Sequence, residues 1–136
     1  MARLYIDTNV LVYAIEDSKN IYGQDIGSSS SKLFWEAASC KHQVIISDWT
    51  LNEFRRIRQA EDLKMLYSIA KKKIIPISFA REDIALAKQE NPHHFQDELH
   101  GILAVRAGAD YIITRNTIDF DKFKNQIKVV RPEDLF

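Results

Sequence analysis

Short apolar runs alternate along this chain with longer segments whose apolar residues recur at helical spacing. Leu4-Tyr5-Ile6, Val44-Ile45-Ile46, Ile74-Ile75-Pro76-Ile77, Tyr111-Ile112-Ile113 and a last run from Ile127 to Val130 read as strands. Pro76 has no N–H to give to a ladder, which puts the third strand at a sheet edge. Helices are predicted from Val10 to Ile15 and through Leu33, Phe34, Ala37 and Ala38, which share one stripe. Ser47 or Asp48 can cap a further helix, with Leu51, Phe54 and Ile57 facing inward and Arg55, Arg56 and Arg58 mostly outward. Another carries Leu63, Leu66, Tyr67 and Ala70 and ends in Lys71-Lys72-Lys73. Two more run from Arg81 to Glu90, stopped by Pro92, and from Asp97 to Ala107, closed by Gly108 at a position suited to a left-handed cap. Asp17 to Ser31 reads as a loop, and Asp119 to Phe123 as a short turn or helix. The alternation predicts one α/β domain over residues 1–136, three-layered, with a central parallel sheet of four to five strands covered by helices on both faces. In such sheets ligands sit beyond the carboxyl ends of the strands.

Composition narrows the class. The apolar fraction of 46% and the charged fraction of 28% belong to an ordinary folded domain and exclude a disordered one. Lys plus Arg balance Asp plus Glu at 19 each, so the chain is no polycation, and any nucleic-acid contact needs a local basic patch. Cys40 is the only cysteine, which excludes an intramolecular disulfide framework and points to a reducing compartment. No apolar run approaches the length of a membrane span. The expectation is a cytoplasmic protein with no membrane partner.

The candidate chemistry is acidic. Asp7 follows the first strand, where an ordinary job for it would be to cap the next helix, a job Thr8 and Asn9 could share. Glu53 lies one turn into the helix after the second strand and projects from the same end of the sheet. Asp97 opens the helix leading to the fourth strand, although Glu98 beside it would complement the helix dipole equally well. After the fourth strand comes the polar stretch Thr114-Arg115-Asn116-Thr117-Ile118-Asp119, in which Asn116 or Asp119 could complete a cluster. Each signal alone has a plain structural explanation. Together they set three or four oxygen-bearing groups along one rim. Carboxylates that close repel one another unless one takes a proton or a cation binds. A hard divalent ion, Mg2+ or Mn2+, suits such oxygen ligands, and it can activate water and neutralise charge on a phosphodiester.

These segments resemble the PIN-domain ribonucleases, and more narrowly the VapC-like toxin branch. Leu-Tyr-Ile-Asp7-Thr8-Asn9-Val-Leu-Val-Tyr-Ala is similar to the family's first motif, and Ser47-Asp-Trp-Thr-Leu-Asn-Glu53-Phe resembles the second. Asp97-Glu-Leu-His-Gly-Ile-Leu-Ala resembles the third, and Ile113-Thr114-Arg115-Asn116-Thr-Ile-Asp119-Phe the fourth. They occur in family order over nearly the whole chain. The resemblance implies a PIN-like fold and Mg2+- or Mn2+-dependent cleavage of single-stranded RNA. It implies Asp7, Glu53 and Asp97 as catalytic and metal-site acids. The family often has Asp where this chain has Asn116, and Asp119 is the natural substitute as the fourth acid. Thr8, Asn9, Thr114 and Asn116 would support the site, with the two threonine hydroxyls at its edge. The resemblance also implies a homodimer and a separate cognate antitoxin protein.

Other residues invite different readings. His42, His93, His94 and His100 do not have zinc spacing, and surface or helix-end histidines account for them. His100, one helical turn after Asp97, has the weaker alternative of acting behind the site. Lys71-Lys72-Lys73 reads as a solvated helix end. Arg115 is the preferred RNA contact because it adjoins the site, followed by Arg55, Arg56 and Arg58 on the helix that bears Glu53. Trp49, Phe54 and Tyr67 read as core or subunit contacts. A competing function is a PIN-like RNA- or protein-binding module that does not cut, which the neutral Asn116 favours. Other α/β phosphoryl-transfer families rank lower. A dehalogenase-like hydrolase wants a second acid where Asn9 stands, and a response-regulator receiver wants an acid pair ahead of Asp7.

Overall fold

In the computed structural model the five strands form one parallel sheet in the order β3-β2-β1-β4-β5. The structure describes residues 2–15, 30, 32, 36–37, 41–58, 63–64, 67–68 and 71–135. The strands are β1 (Ala2–Ile6), β2 (His42–Ser47), β3 (Ile74–Ile77), β4 (Tyr111–Ile113) and β5 (Lys128–Val130), and the longer helices are α1 (Thr8–Ile15), α2 (Asp48–Ile57), α3 (Arg81–Glu90) and α4 (Phe95–Arg106). Single turns of 3-10 helix cover Lys71–Lys73 and Pro132–Leu135, and a longer one covers Thr117–Phe123. The expected loop at Asp17–Ser31 lies outside the described residues except for Ser30, which is helical and buried. The two helices expected around Leu33 and Leu63 also lie largely outside them.

Alternation within the strands builds two cores. Leu4, Ile6, Val44, Ile46 and Ile113 face one side with α1 and Phe54 of α2. Tyr5, Ile45 and Ile112 face the other, against Leu99, Leu103 and Ala104 of α4 and Phe120 and Phe123 of the long 3-10 turn. Side chains one residue apart on a strand point to opposite faces, so three-residue strands feed both layers. That is the three-layer α/β/α arrangement the sequence predicts. Pro76 stands on β3 at the sheet edge, opposite Ile46, as its missing N–H requires.

Some details differ from expectation. α4 begins at Phe95, not Asp97, so both acids of its first turn lie inside the helix. Ile57, expected inward, is 61% exposed. It is the last residue of α2, and Arg58 after it is already extended. The last strand starts at Lys128, because Ile127 still closes the 3-10 segment through its N–H to Phe123.

The strand order has one switch point. From β1 the chain steps outward through β2 to β3, and then returns to the other side of β1 with β4 and β5. Such a reversal leaves a crevice beyond the carboxyl ends of the two strands that flank it. Here those strands are β1 and β4, and the residues that follow them are Asp7 and Thr114.

Candidate active site

The Asp7 N–H still bonds the Ile113 carbonyl at 3.0 Å, extending the β1–β4 ladder by one rung, so its backbone is fixed at the crevice. Its side chain is buried. Oδ1 accepts from the Thr8 N–H at 2.8 Å, and Oδ2 accepts from the Thr114 hydroxyl at 2.8 Å. Glu53 comes from α2, whose N-cap Ser47 accepts from the Thr50 N–H and so sets where the helix starts. Glu53 Oε1 accepts from the Thr8 hydroxyl at 2.8 Å and from His100 Nε2 at 2.5 Å. His100 Nε2 also lies 3.5 Å from Asp7 Oδ1. Asp7, Thr8, Asn9, Glu53, Asp97 and Asn116 line a single cavity of about 320 Å³, whose remaining wall is Val12, Tyr13 and Ile57. Residues 46 and 90 positions apart from Asp7 thus share one pocket with it. The exposure of Ile57 has its explanation here, since it forms part of the apolar wall.

The electrostatics record the crowding. Burial, and then the charges of Asp7, Asp119 and Glu53, push the Asp97 carboxyl up to about 6, against a smaller opposing pull from His100. Burial would raise Glu53 too. The bond from His100, its charge, the Thr8 hydroxyl and Arg56 outweigh that and hold Glu53 below the usual carboxylate range. Burial disfavours a charged His100, but Tyr5, the bond to Glu53 and the charges of Asp7 and Glu53 carry it well above the ordinary histidine value. Glu53 is therefore compensated and Asp97 is not.

The donor chemistry fits a hard divalent cation. The pocket offers oxygen ligands from Asp7, Asp97, Glu53 and Asn116, and one of its polar atoms, Asn9 Oδ1, is buried with no hydrogen-bond partner among the described residues. The like charges that raise Asp97 leave a deficit of positive charge at the same place. The donors do not, however, form a ready-made ligand group. Among the described residues no three His, Cys, Asp or Glu side chains are grouped so that they could hold a metal ion.

The other expected residues are placed as follows. Asn116 is exposed at the mouth, and Asp119 is exposed on the 3-10 turn, off the lining of the cavity but close enough to act on Asp97. Thr8 and Thr114 are buried and bond the carboxylates directly, so they are inside the site and not at its edge. Glu98 turns away from the pocket and pairs with Lys122 at 2.6 Å. That decides which of the two adjacent acids belongs to the site. Arg115 donates to Glu133 at 2.6 Å and lies over the Tyr13 ring, with only 13% of its side chain exposed. Arg55 and Arg56 are exposed on α2, and Arg56 is close enough to act on Glu53. Trp49 and Phe54 are buried in the two cores, as expected.

His100 is the residue that the sequence undervalues. His93 and His94 are exposed, in keeping with a surface role, but His100 is 1% exposed and sits among the acids. The available signal was its spacing of three from Asp97, which puts both on neighbouring faces of one helix.

No protein-family model matches the chain, and no curated protein matches it. A solved structure does resemble it: VapBC2 from Rickettsia felis bound to a DNA fragment from their promoter. The likeness has a TM-score of 0.57 at 20% identity and covers 94% of this chain and 98% of the matched one. It supports the PIN-like α/β fold over nearly the whole length.

Proposed function

We propose that this chain is a Mg2+- or Mn2+-dependent endoribonuclease that cleaves single-stranded RNA by attack of water on a phosphodiester, acting as the toxin of a toxin–antitoxin pair. The observation that carries this reading is the convergence of Asp7, Glu53, Asp97 and Asn116 on one pocket at the switch point of the sheet. Asp7 and Asp97 would hold the cation, with Glu53 and either Asn116 or Asp119 completing its oxygen ligands. A bound divalent ion supplies activation of water and neutralisation of phosphate charge. The chain's own groups do the rest. Thr114 and the Thr8 N–H fix both oxygens of Asp7, and Thr8 and His100 fix Glu53. The apolar wall of Val12, Tyr13 and Ile57 gives the sugar or base of a strand a surface beside the acids. Arg55 and Arg56, exposed on the helix that bears Glu53, would meet its phosphates.

The toxin role, a homodimer and a partner antitoxin rest on the VapC-like motifs together with the likeness to VapBC2. The second reading is a PIN-like module that binds RNA or protein without cutting. It draws on the neutral Asn116 and on the lack, among the described residues, of a ready-made metal group. One assay separates the two. Single-stranded RNAs are incubated with the protein in Mn2+, with and without EDTA, beside Asp7→Asn. The nuclease reading expects fragments that disappear in EDTA and in Asp7→Asn. Retention of intact RNA by the wild type, with no fragments at any Mn2+ or Mg2+ concentration, would establish the binding module instead.

A further inference from the structure

The hydrogen bonds behind Glu53 form a chain whose direction can be worked out proton by proton. The Thr50 hydroxyl donates to the carbonyl of Ile6 at 3.3 Å. That uses its only proton, so in the 3.1 Å contact with Ser47 the Ser47 hydroxyl is the donor. Ser47 has then spent its own proton, and it accepts from the Tyr5 hydroxyl at 2.8 Å. Tyr5 in turn has none left for His100 Nδ1, 2.7 Å away, so Nδ1 must carry the proton of that bond. On the other side of the ring the partner is a carboxylate, and Nε2 donates to Glu53 Oε1 at 2.5 Å. His100 therefore donates from both nitrogens. Neither nitrogen is free to accept or to bind a metal.

The same bonds limit Glu53. Its Oε1 receives two donors, Thr8 Oγ1 and His100 Nε2, which fill the lone pairs of that oxygen in the carboxylate plane. Oε2 receives none. We propose that His100 is a positioning residue of the acidic pocket, pinning Glu53 by Oε1 so that Oε2 alone is presented to a cation. The ring is well placed for it. His100 and Tyr5 are both buried, and their rings meet edge-on with centroids 5.7 Å apart. The relay joins β1, the cap of α2 and α4, which are the elements that deliver Asp7, Glu53 and Asp97. The cation part of this inference rests on the metal-site reading above, whereas the His100–Glu53 contact does not.

Two measurements test it on the whole chain. In the metal-free protein with labelled histidine nitrogens at neutral pH, His100 should show both ring nitrogens protonated, with two slowly exchanging downfield N–H signals. Glu53→Gln should move the Nε2–H signal, and Tyr5→Phe the Nδ1–H signal. A His100 that carries no proton on Nε2 overturns the proposal. Mn2+ binding is then followed by loss of the free-ion electron-spin resonance signal. His100→Leu should weaken binding about 10-fold, as loss of a hydrogen-bond partner behind a ligand typically does, and His100→Gln, which keeps a donor, should recover most of that. In the Glu53→Gln background His100→Leu should add little, because the residue it positions has already changed. Fully additive losses, or tighter binding in His100→Leu, overturn the positioning role. If His100→Leu does not fold, Tyr5→Phe, which removes only the hydroxyl, carries the same comparison. A wild type that binds no Mn2+ sinks the metal reading and the cation part of this inference with it, and the nitrogen signals still decide the contact.

Discussion

Asp97 is the residue at which stability and function pull apart. Its carboxyl is raised from 3.8 to about 6 in the folded protein. A raised acid binds its proton more tightly folded than unfolded, so its contribution to stability is present below about 4 and is lost as pH rises through about 6. Asp97→Asn removes that loss. Metal-free Asp97→Asn should therefore melt above the wild type at pH 8 by about 4 °C, equivalent to roughly 1 kcal/mol in a domain of this size after discounting for a partly exposed group. The two should converge at pH 4, and RNA cleavage by the variant should be lost. A melting temperature unchanged at pH 8 would show that the crowding does not strain the free protein. Asn116→Asp works the other way. It adds a carboxyl at the exposed mouth, so it should tighten Mn2+ binding and leave cleavage intact or raised. Weaker binding would mean that Asn116 serves the site through its amide N–H donor and not as a ligand. The placement of Asp7, Glu53 and Asp97 was legible because each stands next to a strand end or one helical turn beyond it, and a parallel sheet gathers such positions at one rim. His100 was not legible in the same way. A histidine inside an apolar helix stripe carries no sign of what lies opposite, and its partner Tyr5 reads as an ordinary strand residue until β1 and α4 are seen face to face.

At the scale of the element, the packing of α4 is set by the absence of a side chain. Gly101 lies mid-helix, and a Cβ built there would come within 2.1 Å of the Phe123 ring. In a free helix Gly→Ala gains about 1 kcal/mol. Here the buried Phe123 ring must shift to make room, so overpacking prevails. Gly101→Ala should destabilise by about 1–3 kcal/mol, read from denaturant unfolding with an unchanged slope. Because the 3-10 turn that bears Phe123 also carries Asp119, near Asp97, the variant should weaken Mn2+ binding as well. A stabilised Gly101→Ala would show that the turn docks loosely. The sequence pattern gave the existence of α4 and its closure at Gly108, which has the expected positive φ of 69°. It missed the start at Phe95, since neither His94 nor Phe95 is a usual cap and no side chain caps this helix. Ile57 was misplaced for a related reason. Period alone continues α2 inward for another turn, whereas the chain leaves the helix at Arg58 and turns Ile57 to the pocket wall.

The whole molecule has no net charge to draw a polyanion, with 19 basic and 19 acidic side chains. The pocket itself is acidic, and without a bound cation it would repel phosphate. Any electrostatic attraction must then come from cations near the mouth, and the fold divides the candidates into two kinds. Arg115 adjoins the site in sequence, but its guanidinium is engaged by Glu133 and the Tyr13 ring and largely covered. Arg55 and Arg56 project from the exposed face of the helix that holds Glu53. Each phosphate neutralised releases condensed counterions and adds about 0.7 to the slope of log K against log salt for a single strand. Replacing Arg55 and Arg56 together by Gln should therefore flatten that slope by about 1.4, with single-stranded RNA binding measured by anisotropy in Ca2+ between 50 and 200 mM salt, roughly the range over which such effects are read. Arg115→Gln should leave the slope within error of the wild type and appear instead as lower stability, because what it breaks is an internal pair. The reverse result, a slope unchanged in the α2 double variant and reduced in Arg115→Gln, would mean that RNA draws Arg115 away from Glu133 on binding, and that the strand enters over β4 and not over α2.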